Sequence, residues 1–135
     1  MEIKEETLKY LEFLQQIISR MGKNSFLIKG WTVTLVSALL GYLASHHLMG
    51  GKYLIIIYIP VITFAILDTY YLRLERIFRN KYYTFINDHR EFDLSYFKLA
   101  TKTKRAEFLV VLCSRSIVLT YIPILIMVSF ILLFI

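Results

Sequence analysis

Residues 30–72 read GWTVTLVSALLGYLASHHLMGGKYLIIIYIPVITFAILDTYYL, two apolar runs joined by HHLMGGK. The first run, 30–49, carries no formal charge, and the second, 53–72, carries only Asp68. A helix rises about 1.5 Å per residue, so each run covers about 30 Å, the thickness of a bilayer's hydrocarbon core. Gly50-Gly51 is a turn signal. A link this short makes the two runs an antiparallel helical hairpin. A third uncharged run, 116–135, is also long enough to span.

The composition agrees with that pattern. The chain has 135 residues, is 57% hydrophobic, and has a mean hydropathy of +0.57, yet its formal charge is +6. A soluble domain is much less apolar. The expected fold class is an all-α integral membrane protein. It has three transmembrane helices and an amphipathic N-terminal helix, and its second span extends into the cytoplasm. One cysteine, Cys113, excludes an internal disulfide and reads as a small apolar residue near an interface. A signal peptide is not expected, because a charged helix-like stretch precedes the first apolar run.

Lysine and arginine set the orientation. Lys4, Lys9, Arg20, Lys23 and Lys29 precede the first span, only Lys52 lies in the first turn, and nine basic residues lie in the central segment 73–105. The positive-inside rule places the N-terminus and the central segment in the cytoplasm of a bacterial inner membrane, and the C-terminus outside.

Four regions follow. In 1–23, Leu8, Leu11, Leu14, Ile17, Ile18 and Met21 form one face of a cytoplasmic helix. Gly22 is expected to break it, with Asn24 or Ser25 capping the next helix. Region 24–72 is the transmembrane hairpin. Region 73–105 is a basic, aromatic cytoplasmic segment, and Leu74, Ile77, Phe78, Tyr82, Phe85 and Ile86 predict that the second helix continues to about 87. Region 106–135 is the third transmembrane helix, starting near Lys104, with Pro123 as a kink point.

Folding the hairpin about residue 50 brings Lys29 and Asp68 to similar depth. An ionised carboxylate in the apolar zone costs about 2.5–3.5 kcal/mol, so Asp68 is expected to find a partner. Lys29 is the nearest, and Arg115 is another. The set serves either as a structural ion pair or as a charged gate. Thr34, Ser37, Ala38, Gly41 and Ser45 form a small-residue stripe, suited to close helix packing between copies or to lining a pore. Three spans are few for a self-contained pathway, so a homo-oligomer in the lipid bilayer is expected.

The central segment alternates basic and aromatic residues. Arg73, Arg76, Arg79, Lys81, Arg90, Lys98, Lys102, Lys104 and Arg105 offer phosphate contacts, and Tyr82 and Tyr83 offer stacking faces. This mixture suits an anionic, base-bearing ligand. It also suits any cytoplasmic loop, where positive charge and interfacial aromatics are ordinary. No catalytic spacing, phosphate-binding glycine loop or metal-ligand cluster is present in the sequence. His46 and His47 are adjacent, so they diverge on a helix. No enzyme, cofactor or metal is expected.

Two strings carry a resemblance. One is Arg20, Met21, Asn24, Ser25, Lys29, Gly30 and Trp31. The other is Asp68, Tyr70, Tyr71, Leu72, Glu75 and Arg76. They resemble small bacterial membrane proteins of anti-phage defence, such as the membrane effectors of the Hailong system. The resemblance covers about the first 80 residues. It implies an ion channel of abortive infection, paired with a nucleotidyltransferase-like partner whose single-stranded DNA oligomer keeps the channel shut. The basic segment would then hold the oligonucleotide, the stripe would pack subunits, and the Lys29/Asp68 level would form the gate. The competing expectation is a non-conducting membrane anchor that recruits a soluble partner through 73–105. A lipid-modifying enzyme would need Asp68 for turnover.

Overall fold

The computed structural model describes residues 5–47, 51–87 and 105–134. These form four helices, α1 Glu5–Ser45, α2 Gly51–Asn87, α3 Arg105–Leu112 and α4 Arg115–Phe134. Three of them, α1, α2 and α4, are long and apolar enough to cross a membrane. The expected turn at Gly50-Gly51 lies partly outside the described residues. Its flanks are visible, because His47, two residues past the end of α1, has a φ of 55°, the left-handed conformation common just past a helix C-terminus, and α2 opens at Gly51.

The helices pack as an antiparallel pair with a third beside it. α1 lies against α2 along most of its length, and α2 carries both α3 and α4. Tyr58 near the start of α2 hydrogen-bonds Ser129 near the end of α4 at 2.7 Å, and Tyr121 donates to the Phe64 carbonyl at 3.2 Å, so α4 also runs antiparallel to α2. One core joins the three long helices through Val36, Leu43, Leu54, Ile57, Val61, Ile117, Tyr121 and Val128. A second, smaller core lies between the N-terminal part of α1 and the C-terminal part of α2. It is built on Tyr10, Leu14, Phe78 and Phe85, with the Tyr10 and Phe85 rings edge-on at 5.0 Å.

The pattern of exposure is inverted relative to a water-soluble bundle. Trp31, Ile59, Leu119, Ile126, Phe130 and Leu133 face outward, while Ser25, Thr32, Asp68 and Thr69 are buried. Single exposed apolar residues are common in any protein. A whole surface of them on helices of spanning length is compatible with a lipid-facing exterior.

The expected break at Gly22 is not present. α1 is a single helix of 41 residues, and the proposed first and second regions are continuous within it. A glycine costs a helix interior only about 1 kcal/mol. Burial of Tyr10 and Leu14 on one side of it and Ser25 and Ile28 on the other outweighs that. The continuation of α2 to Asn87 matches the periodicity. The third segment is not one helix. It divides at Cys113–Ser114, where Ser114 N–H bonds the Val111 carbonyl at 2.9 Å and tightens the last turn of α3. The Ser114 carbonyl then accepts from Ile117 and Val118, which starts α4, while the buried Ser114 hydroxyl makes no capping bond. α4 alone has the length to span, so α3 is free to lie on α2.

Candidate functional site

Asp68 is the centre of the most developed polar cluster. It has no solvent exposure, and it sits on the α1-facing side of α2. Ser25 donates its hydroxyl to Oδ1. Lys29 Nζ lies 2.7 Å from Oδ2, in ion-pair contact, although no donor is aligned with that oxygen as a hydrogen bond. The same ammonium donates to Ser25 Oγ at 2.8 Å. The three side chains therefore close on one another and sum to zero charge.

The helical spacing explains why they meet. Ser25 and Lys29 are four apart, so they share one face of α1. That face continues through Ile28, Thr32 and Val36, all buried. The Lys29 side chain is 18% exposed, so its stem runs along the apolar contact and its ammonium turns inward to Asp68. Two hydroxyls nearby are satisfied locally. Thr32 donates to the Ile28 carbonyl at 2.8 Å and Thr69 to the Ala65 carbonyl at 2.7 Å. Tyr121 brings α4 close to this level, its hydroxyl donating to the carbonyl of Phe64, four residues before Asp68 on α2. One buried carboxylate thus lies where all three long helices meet.

The pair of Lys29 with Asp68 matches the depth argument. Arg115 does not join it, because it is exposed at the first residue of α4 and is not among Asp68's partners. Ser25 has a larger role than the sequence assigned. It does not cap a helix, because α1 runs through it. Its buried hydroxyl takes Asp68 as acceptor instead. The available signal was its four-residue spacing from Lys29.

The small-residue stripe faces away from the bundle. Thr34, Ser37, Ala38, Gly41 and Ser45 are all exposed, and a Cβ placed on Gly41 would meet nothing within 4 Å. Gly30 extends the stripe by one turn and is equally open, a position the sequence reading left out. Within one chain, therefore, the stripe packs against neither α2 nor α4.

The basic residues of α2 do not share a face. Arg73 is buried and Arg76 is exposed, and both border a cavity of about 380 Å³ between α2 and α3. Arg79 is engaged with Glu75 one turn back. Lys81 lies over the Phe78 ring at 5.9 Å, and Tyr82 accepts from Gln15 at 3.1 Å in the contact with α1. Tyr83 is exposed. Arg90, Lys98, Lys102 and Lys104 lie outside the described residues, and Arg105 opens α3. Of the motif residues, Trp31 and Tyr70 are exposed, Asn24 and Tyr71 are half-buried, and Glu75 lies beside Gly22. No family model, curated protein or solved structure matches this chain.

Proposed function

We propose that this chain is an oligomeric channel of the bacterial inner membrane that depolarises the cell when an anionic ligand at its cytoplasmic end releases or triggers it. The N-terminus and residues 73–105 lie in the cytoplasm, and α4 ends outside. The observation that carries this reading is the outward stripe of Thr34, Ser37, Gly41 and Ser45 on α1. A single chain offers no path, because Val36, Leu54, Ile57, Val61 and Val128 fill its centre. Small polar residues facing out of a membrane helix favour contact with another helix over contact with lipid. Copies meeting along α1 would bury the stripe and line a path with its hydroxyls. The role in anti-phage defence, the nucleotidyltransferase-like partner and an oligonucleotide ligand rest on the resemblance of the two motifs alone.

In this reading the Ser25–Lys29–Asp68 cluster is the rigid cytoplasmic collar of each subunit. Neutralising Asp68 inside the subunit holds α1 at a fixed rotation, and that rotation presents the stripe outward. The test is membrane potential, read with a voltage-sensitive dye after inducing the chain alone in bacteria. Rapid depolarisation with growth arrest, abolished by Gly41→Leu in protein still found in the membrane, is the expected result. A steady potential with the unaltered chain present in the membrane would overturn release from a restraining ligand and leave the anchor or a channel that its ligand must open.

A second reading has its own supporting observation. α2 continues about 15 residues past the apolar run, and at about 1.5 Å per residue this is an arm of about 22 Å. The arm packs on α1 through its own core of Tyr10, Leu14, Phe78 and Phe85. Such a helical arm suits a non-conducting anchor that recruits a soluble partner through 73–105. Pull-down of a partner that is lost on deleting the arm, without any change in conductance, would favour it.

A further inference from the structure

Arg73 is only 7% exposed, yet its Nε and Nη2 have no hydrogen-bond partner. Among the described residues, the carboxylate it pairs with is Glu107, 3.9 Å from Nη2 and itself 53% exposed. A guanidinium keeps its charge in any protein environment and carries five donors in a planar fork. Buried in this way, it lacks acceptors that water would have supplied. It borders the cavity of about 380 Å³, a size within the range that holds small ligands. Among the described residues, the remaining walls are Arg76 and Asn80 on the polar side and Ile77, Val110 and Val111 on the apolar side, with Glu107 at the edge.

Charge and depth narrow the ligand. Among the described residues, two guanidiniums and one carboxylate leave one positive charge, which a phosphodiester monoanion balances. A guanidinium fork matches phosphate oxygens in pairs. Arg73 follows directly on the apolar run 53–72, and Val110 and Val111 lie just ahead of α4. The cavity is therefore at the end of the spans, where lipid headgroups sit. Basic pockets between membrane helices on the cytoplasmic side are suited to anionic headgroups.

We propose that this cavity binds the headgroup of an anionic phospholipid. Arg73 and Arg76 hold the phosphodiester, Asn80 donates its amide, and Ile77, Val110 and Val111 meet the glycerol and the first acyl carbons. The proposal rests on the membrane placement of the chain and is independent of whether it conducts.

The test uses the full chain in neutral detergent, equilibrated with phosphatidylglycerol or phosphatidylcholine of the same acyl length. Bound lipid per chain is counted by native mass spectrometry. Phosphatidylglycerol is expected to be retained about tenfold or more over phosphatidylcholine, and Arg73→Gln and Arg76→Gln are each expected to remove most of that preference. Arg79→Gln, outside the cavity, leaves it unchanged. Equal retention of the two lipids overturns the proposal, as does a preference that survives both cavity substitutions. Displacement of phosphatidylglycerol by inorganic phosphate also overturns it, by assigning the cavity to a free anion. If Arg73→Gln fails to fold, the exposed Arg76 decides through its own variant. Resistance of the chain to alkaline extraction from membranes tests the membrane placement separately. Extraction would overturn that placement, whereas resistance without lipid selectivity overturns only the cavity assignment.

Discussion

Asp68 and Arg73 are five residues apart on α2, and both are buried, but their surroundings differ. The level of Asp68 is closed. Its carboxylate has a lysine and a serine from α1, and the three groups leave no net charge. The level of Arg73 is open. Its guanidinium has two nitrogens without a hydrogen-bond partner, a carboxylate only at 3.9 Å and a cavity beside it. A closed buried pair fixes a geometry, and an open one is available to a ligand. One helix thus carries a paired buried charge and an under-satisfied one little more than a turn apart.

The sharpest way to break this comparison is to remove one member of the closed pair. Lys29→Ala leaves Asp68 buried with one donor, and a loss of about 3–5 kcal/mol in folded-state stability is expected. Folded yield in detergent, measured by size-exclusion chromatography, should collapse. Exchanging the two residues, Lys29→Asp with Asp68→Lys, should restore part of it. Equal yields for the single and exchanged variants would show that the pair does not hold the hairpin.

Ser25→Ala is expected to cost less, about 1–3 kcal/mol, because Asp68 keeps its lysine but loses its hydroxyl donor. The fall in thermal stability should sit between that of Lys29→Ala and wild type. Tyr58→Phe removes a hydrogen bond far from either charge and should cost about 0.5–1.5 kcal/mol. It calibrates what an ordinary polar contact contributes in this bundle. The smallest expected effect is at the open level. Arg73→Met removes an under-satisfied guanidinium, so in lipid-free detergent stability should stay within about 1 kcal/mol of wild type or rise. A loss as large as that of Lys29→Ala would mean that Arg73 is as structural as Asp68.

The parts of the molecule legible in the sequence were those set by long-period patterns. The three apolar runs, the extension of α2 to Asn87 and the meeting of Lys29 with Asp68 follow from length, periodicity and depth. Local signals were less reliable. Gly22 reads as a helix end, but packing on both sides carries α1 through it. Ser25 reads as a cap because serine favours caps, yet in an unbroken helix its hydroxyl found a buried acceptor. The division at Ser114 had no glycine or proline to mark it. The contrast between Arg73 and Arg79 was hidden as well. Both are basic residues on one helix, and only the packing of α3 separates a buried guanidinium from one engaged with Glu75.

The central claim is that copies of this chain conduct along the outward face of α1. Recording from the purified protein in planar bilayers tests it most directly. The account predicts discrete current steps from the wild-type oligomer and none from Gly41→Leu, whose monomer fold should be unchanged because, among the described residues, a Cβ at that position meets nothing within 4 Å. A bilayer that stays silent both without and with an added single-stranded oligonucleotide, with a folded wild-type oligomer verified in it, would contradict the account and leave the anchor as the better description.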